Sequence, residues 1–189
     1  MQFEYIKLIP FFLVVLANIP LYYLIFKKQV HLNIATFLLW ILIDSIVIFT
    51  TFFSGGEVAY TSYGFVLCDL LTVLLILQTK IWIWGKKEST VFIMAIFGII
   101  LWQITNAFYG LIFITVLKYF IAGFPTLIDS YKRPERGQVF FWLVVTLSIF
   151  INIILIDNKV IQSYIFLYTA FLFNLLFGLL NLRKKLTKI

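Results

Sequence analysis

Val91-Phe-Ile-Met-Ala-Ile-Phe-Gly-Ile-Ile-Leu-Trp-Gln-Ile-Thr-Asn106-Ala-Phe-Tyr-Gly110-Leu-Ile-Phe-Ile-Thr-Val-Leu-Lys118-Tyr-Phe-Ile-Ala-Gly-Phe-Pro125-Thr-Leu-Ile128 carries a single charge, Lys118. As one α-helix at 1.5 Å per residue it would measure about 57 Å, against a bilayer hydrocarbon core of about 30 Å. It must fold back, and Asn106–Gly110 holds the turn-forming residues, so two membrane spans are expected. Working outward, Leu8–Phe26, Asn33–Phe53 and Phe65–Trp84 precede it, and Val139–Ile156 and Val160–Leu182 follow. Seven spans result, broken by turns such as Ser54-Gly55-Gly56-Glu57 and by short basic clusters.

The composition agrees. The chain is 63% hydrophobic and 12% charged, whereas soluble domains run at about 45–50% and about 25%. Too little polar surface remains to coat a water-facing globule. The apolar runs are continuous rather than alternating, which excludes a transmembrane barrel. Lipid cannot satisfy an exposed backbone, so the spans are helices. The net charge of +7 sits in clusters between apolar runs and does not point to nucleic acid. The lone Cys68 excludes an intramolecular disulfide and a cysteine metal cluster, and no cofactor or metal is expected. The start up to Lys7 lacks a signal-peptide pattern, so the first span is read as retained. A chain of 189 residues leaves no room for an appended soluble domain.

Orientation follows from the basic residues. With the N-terminus outside, Lys27, Lys28, Lys86, Lys87, Lys132, Arg133, Arg136, Arg183, Lys184, Lys185 and Lys188 fall inside, and Lys7 and Lys159 outside. That bias of eleven to two sets the N-terminus outside and the C-terminus in the cytoplasm, and it requires an odd number of spans.

The two halves resemble each other. Pro20 precedes Lys27-Lys28 by about two turns, and Pro125 likewise precedes Lys132-Arg133. Trp40 and Trp142 each lie in the following helix, and Ser62-Tyr63-Gly-Phe65 and Ser163-Tyr164-Ile-Phe166 each open the last helix of their half. The implied layout is a three-helix repeat over 1–84, a linker helix over 85–110, and a second parallel repeat with a basic tail over 111–189. This 3+1+3 plan resembles the SWEET and PQ-loop superfamily of transporters, and Pro125-Thr-Leu-Ile-Asp-Ser-Tyr-Lys-Arg-Pro134-Glu135 is the best local match to its motif. The motif glutamine is replaced by Leu21 and Thr126, and the second helix of each half lacks a proline, which points away from sugar specificity and from a proline-tetrad gate. By resemblance the central pathway would be lined by Asn18, Trp40, Trp142 and Asn174, with Pro20 and Pro125 as hinges.

Three charges fall inside spans. Asp44 lies near the bilayer midplane, where a carboxylate needs a cavity or a partner; it is read either as a substrate or proton site or as a structural anchor. Asp69 and Lys118 lie at similar depths and are expected to form a buried ion pair, although Asp44 is equally within the reach of Lys118. No nucleophile–base pair, phosphate loop or metal-ligand spacing is present, so an enzyme is not expected. The reading is a transporter or facilitator of a small polar solute in the cell (inner) membrane, with the bilayer and a small-molecule solute as partners and homo-oligomerisation left open. The alternatives are a substrate-binding subunit of a vitamin-uptake complex and a non-transporting receptor or scaffold.

Overall fold

A computed structural model of the chain describes residues 5–30, 32–80, 82–83, 93, 96–97, 100, 103–104, 107–116, 118–119, 127–128, 130–131 and 136–183. Among them run α1 (Ile9–Phe26), α2 (Ile34–Phe53), α3 (Tyr60–Thr79), α4 (Ala107–Val116), α5 (Arg136–Leu155) and α6 (Ile161–Leu182), and the described residues of 93–104 and 127–131 are helical as well. The exception to the helical architecture is a parallel ladder of two residues each, β1 (Leu32–Asn33) with β2 (Trp82–Ile83). Pro10 sits in the first turn of α1, where its missing N–H costs no hydrogen bond. Lys80 adopts a left-handed conformation at φ 57° and ends α3. The third helix runs five residues earlier at each end than the hydrophobic run Phe65–Trp84 suggests: Lys80 stops it at Thr79, and extended Ala59 lets it begin at Tyr60.

Among the described residues, four helices are long and apolar enough to cross a membrane: Tyr5–Phe26, Tyr60–Thr79, Gln138–Leu155 and Ile161–Leu182, with the shorter apolar run Phe37–Phe53 in α2. Their outer faces are apolar. Phe12, Leu16 and Ile19 of α1, Leu70, Leu74 and Leu77 of α3, and Leu172, Leu176 and Leu179 of α6 are all exposed. The interior instead holds Asn18, Asp44, Thr50, Thr72, Asn152 and Asn174. Apolar outside and partly polar inside is the distribution that acyl chains select, and the protein is a membrane-embedded helical one.

Two groups of helices pack in the same way. In one, α3 lies between α1 and α2; in the other, α6 lies between α5 and α4. The groups join where α1 meets α5 and α2 meets α4, with lesser contacts of α3 on α5 and α2 on α6. Exchanging α1 with α4, α2 with α5 and α3 with α6 maps this set of neighbours onto itself. At the α1–α3 crossing Gly64 lets the backbones close up: a Cβ there would stand 3.0 Å from Val14 Cβ and 3.3 Å from Phe11 O.

Of the turn expected at Asn106–Gly110, Asn106 lies outside the described residues and the rest is helical. Ala107–Gly110 form the first turn of α4, and Gly110 is buried, so packing overrides the weak helix propensity of glycine. Most of the linker segment, together with Pro125 and its basic loop, lies outside the described residues.

Candidate functional site

The site grows from two one-turn spacings. On α2, Trp40 and Asp44 are four residues apart, and on α3 Phe65 and Asp69 are four apart, so each acid shares a helix face with an aromatic ring. Lys118 and Tyr119 follow α4 in π-helical geometry; such a wide turn recurs at functional positions, and here both consecutive side chains are buried.

Lys118 Nζ donates to Asp44 Oδ1 in an ion pair whose residues are 2% and 0% exposed. Four rings surround the same ammonium. Its distance to the ring centroid is 4.9 Å for Phe166, 5.0 Å for Trp40, 5.1 Å for Phe65 and 5.7 Å for Tyr119. Each lies within the range of a cation–π attraction, which reaches about 2 kcal/mol when water is excluded. Asp44 Oδ2 is buried without a hydrogen-bond partner.

The ion pair expected between Asp69 and Lys118 is not formed. Packing of α2 on α4 delivers Asp44 to the lysine instead, and matched depth along the spans carries no information about which helices touch. Asp69 lies one residue from buried Cys68 on α3, and it and Phe65 keep some accessible surface.

The other sequence candidates are dispersed. Asn18 Nδ2 donates to Val14 O at 2.9 Å and Asn174 Nδ2 to Ala170 O at 2.7 Å, so both amides turn back on their own helices. Trp142 donates from Nε1 to Gln138 Oε1 at 3.3 Å. Its ring packs on Phe177 at 4.5 Å, and Phe177, Phe173 and Tyr119 continue an aromatic row towards the lysine at 6.3 and 5.0 Å. Pro20 is exposed within α1, which runs on to Phe26. Phe65, Tyr119 and Phe166 were not singled out from the sequence, although an aromatic residue one turn before each intramembrane acid was a usable signal for Phe65.

A second polar cluster ties the two helix groups at one end. Lys7 Nζ lies 3.2 Å from Glu57 Oε1 and 2.5 Å from Asp157 Oδ2. Glu57 Oε2 accepts the N–H groups of Asp157 and Asn158, each at 2.8 Å. The Glu57 N–H donates to Ser163 Oγ at 2.8 Å, and Asn158 Nδ2 to Gly55 O at 2.9 Å. The α2–α3 loop, the α5–α6 loop and the segment before α1 are thereby joined.

Fold and site together define a membrane-embedded helical protein with a charge pair held in an aromatic box in its interior. Comparison of the chain with protein-family models, with curated proteins and with solved structures finds no match.

Proposed function

We propose that the protein moves a small polar solute across a cell membrane by alternating access around the Asp44–Lys118 pair, as a seven-span, SWEET-like carrier with its N-terminus outside. What carries the reading is that pair. Two charges buried in a membrane-spanning bundle are costly and mark solute or proton pathways in such proteins. This one lies where α2 meets the chain after α4, at a junction between the two helix groups.

The exchange symmetry of helix neighbours supports the repeat. The junction of α1 with α5 carries its own buried polar link, Ser148 Oγ donating to Pro10 O at 2.7 Å, opposite the Asp44–Lys118 link between α2 and the end of α4. Two equivalent junctions suit rocking of one group against the other. The gathering of Lys7, Glu57 and Asp157 at one end supports placing these three charges on one side of the membrane.

The test is exchange of labelled solutes (neutral, cationic, anionic and zwitterionic) by proteoliposomes with purified protein. Counterflow of at least one solute is expected, lost in Asp44→Asn with the thermal unfolding curve preserved. Absence of counterflow across the panel, or flux unchanged in Asp44→Asn, would sink the proposal.

A further inference from the structure

We infer that the aromatic box around Lys118 Nζ is a binding site for a small monovalent organic ammonium ion, and that Lys118 is a tethered occupant which this ion displaces. The inference rests on reading the Asp44–Lys118 pair as the solute site and names the class of solute.

Three observations lead there. The first is shape. Phe166, Trp40, Phe65 and Tyr119 hold the lysine nitrogen 4.9–5.7 Å from their centroids, contributed by α6, α2, α3 and the turn after α4. Aromatic faces converging from four segments on one cation are how proteins recognise methylated and quaternary ammonium groups. A salt bridge alone needs no such box.

The second is charge. The Asp44 carboxylate is buried against the ammonium, so a monocation that takes the lysine's place leaves the acid paired. An anion there would stand against a carboxylate in a medium of low dielectric.

The third is an open acceptor. Asp44 Oδ2 is fully buried and unpartnered, and buried carboxylate oxygens are normally satisfied. Phe65, one wall of the box, keeps accessible surface, so an incoming cation enters from the α3 side. In the closed state the lysine ammonium stands in for the solute, which keeps the rings and Asp44 Oδ1 occupied and makes departure of the solute reversible.

Thermal unfolding of the purified protein in tetramethylammonium chloride, against sodium chloride at equal ionic strength, tests this. Wild type should be stabilised in a saturable manner, and Asp44→Asn should lose the effect. Lys118→Ala should bind at least about tenfold more tightly, since the tethered competitor is gone. A wild type indifferent to tetramethylammonium and methylammonium, a Lys118→Ala protein that loses binding, or stabilisation by sodium acetate instead would each overturn the inference. Should Lys118→Ala fail to fold without ligand, the wild-type and Asp44→Asn measurements still decide. Binding without flux would remove the transport reading alone, whereas flux of a neutral solute without ammonium binding would remove this one alone.

Discussion

Asp44 and Lys118 neutralise each other with only half of the carboxylate: Oδ1 accepts from the lysine ammonium, and Oδ2 is buried with no hydrogen-bond partner. The lysine is also held by four rings, so it has more partners than the acid. Breaking a buried pair from one side typically costs about 3–5 kcal/mol, because the remaining charge is stranded, while replacing both members by apolar groups is often neutral. Lys118→Met should therefore destabilise the protein by several times more than Asp44→Leu/Lys118→Met does, as read by detergent denaturation followed by circular dichroism. A double variant as unstable as Lys118→Met alone would mean the pair is not a unit.

Asp69 should behave differently from its neighbours on α3. It lies one residue from buried Cys68 but keeps accessible surface, with no hydrogen bond or ion pair among the described residues. Asp69→Asn removes no contact and should change stability by no more than about 0.5 kcal/mol. Water-borne methanethiosulfonate should modify a cysteine placed at Asp69 in a Cys68→Ser background, and should fail at Thr72, which is fully buried with its hydroxyl on Cys68 O at 2.8 Å. Equal reactivity at both positions would show that Asp69 is no more open to water than Thr72.

The sequence carried the helical membrane class and most span boundaries because both depend on local hydrophobicity. Ile9–Phe26, Ile34–Phe53 and Ile161–Leu182 fall within one residue of the apolar runs that announced them. Local reading failed where backbone conformation or packing decided the outcome. Lys80 stopped α3 by turning left-handed, which no composition rule singles out for lysine, and Gly110 was read as a turn although packing keeps it helical. At the site, Trp40, Asp44 and Lys118 were visible as candidates, but their meeting was not. Which acid reaches Lys118 depends on α2 packing against α4, and the two residues that meet are 74 apart in the chain. Asn18 and Asn174, expected along the pathway by resemblance, each donate an amide N–H to a carbonyl of their own helix.

Gly64 should tolerate substitution poorly and Gly178 better. A Cβ at Gly64 meets the β-branched Val14 at 3.0 Å and the carbonyl oxygen of Phe11 at 3.3 Å, neither of which yields without moving α1. A Cβ at Gly178 meets Leu143 Cδ2 at 3.0 Å, the far end of a flexible side chain. Overpacking costs about 1–3 kcal/mol, so Gly64→Ala should lower the unfolding midpoint clearly and Gly178→Ala should do so by less. The reverse ranking would contradict the α1–α3 contact.

The cluster at the end of the bundle ranks its own members by how much each is screened. Lys7 joins Asp157 at 2.5 Å, but the Asp157 side chain is 82% exposed, and ion pairs of that kind contribute only about 0–1 kcal/mol. Glu57 is 24% exposed and does more. Its Oε1 accepts from Lys7, and its Oε2 accepts two backbone N–H groups that have no helix of their own, those of Asp157 and Asn158. Hydrogen bonds to a charged acceptor contribute about 1.5–3 kcal/mol each at best, less where water competes. Glu57→Ala should therefore cost at least about twice what Asp157→Asn costs in thermal unfolding, and most of that cost should persist in 0.5 M salt, because the backbone bonds are short-ranged while the Lys7–Asp157 attraction is screened. The same cluster tests the arrangement across the membrane. Cysteines at Lys7, Glu57 and Asp157 should react with an impermeant reagent added outside intact cells, and one at Lys28, beyond the opposite end of α1, should not. Glu57→Ala matching Asp157→Asn would show that the loop is held by other means, and labelling of Lys28→Cys from outside would reverse the orientation.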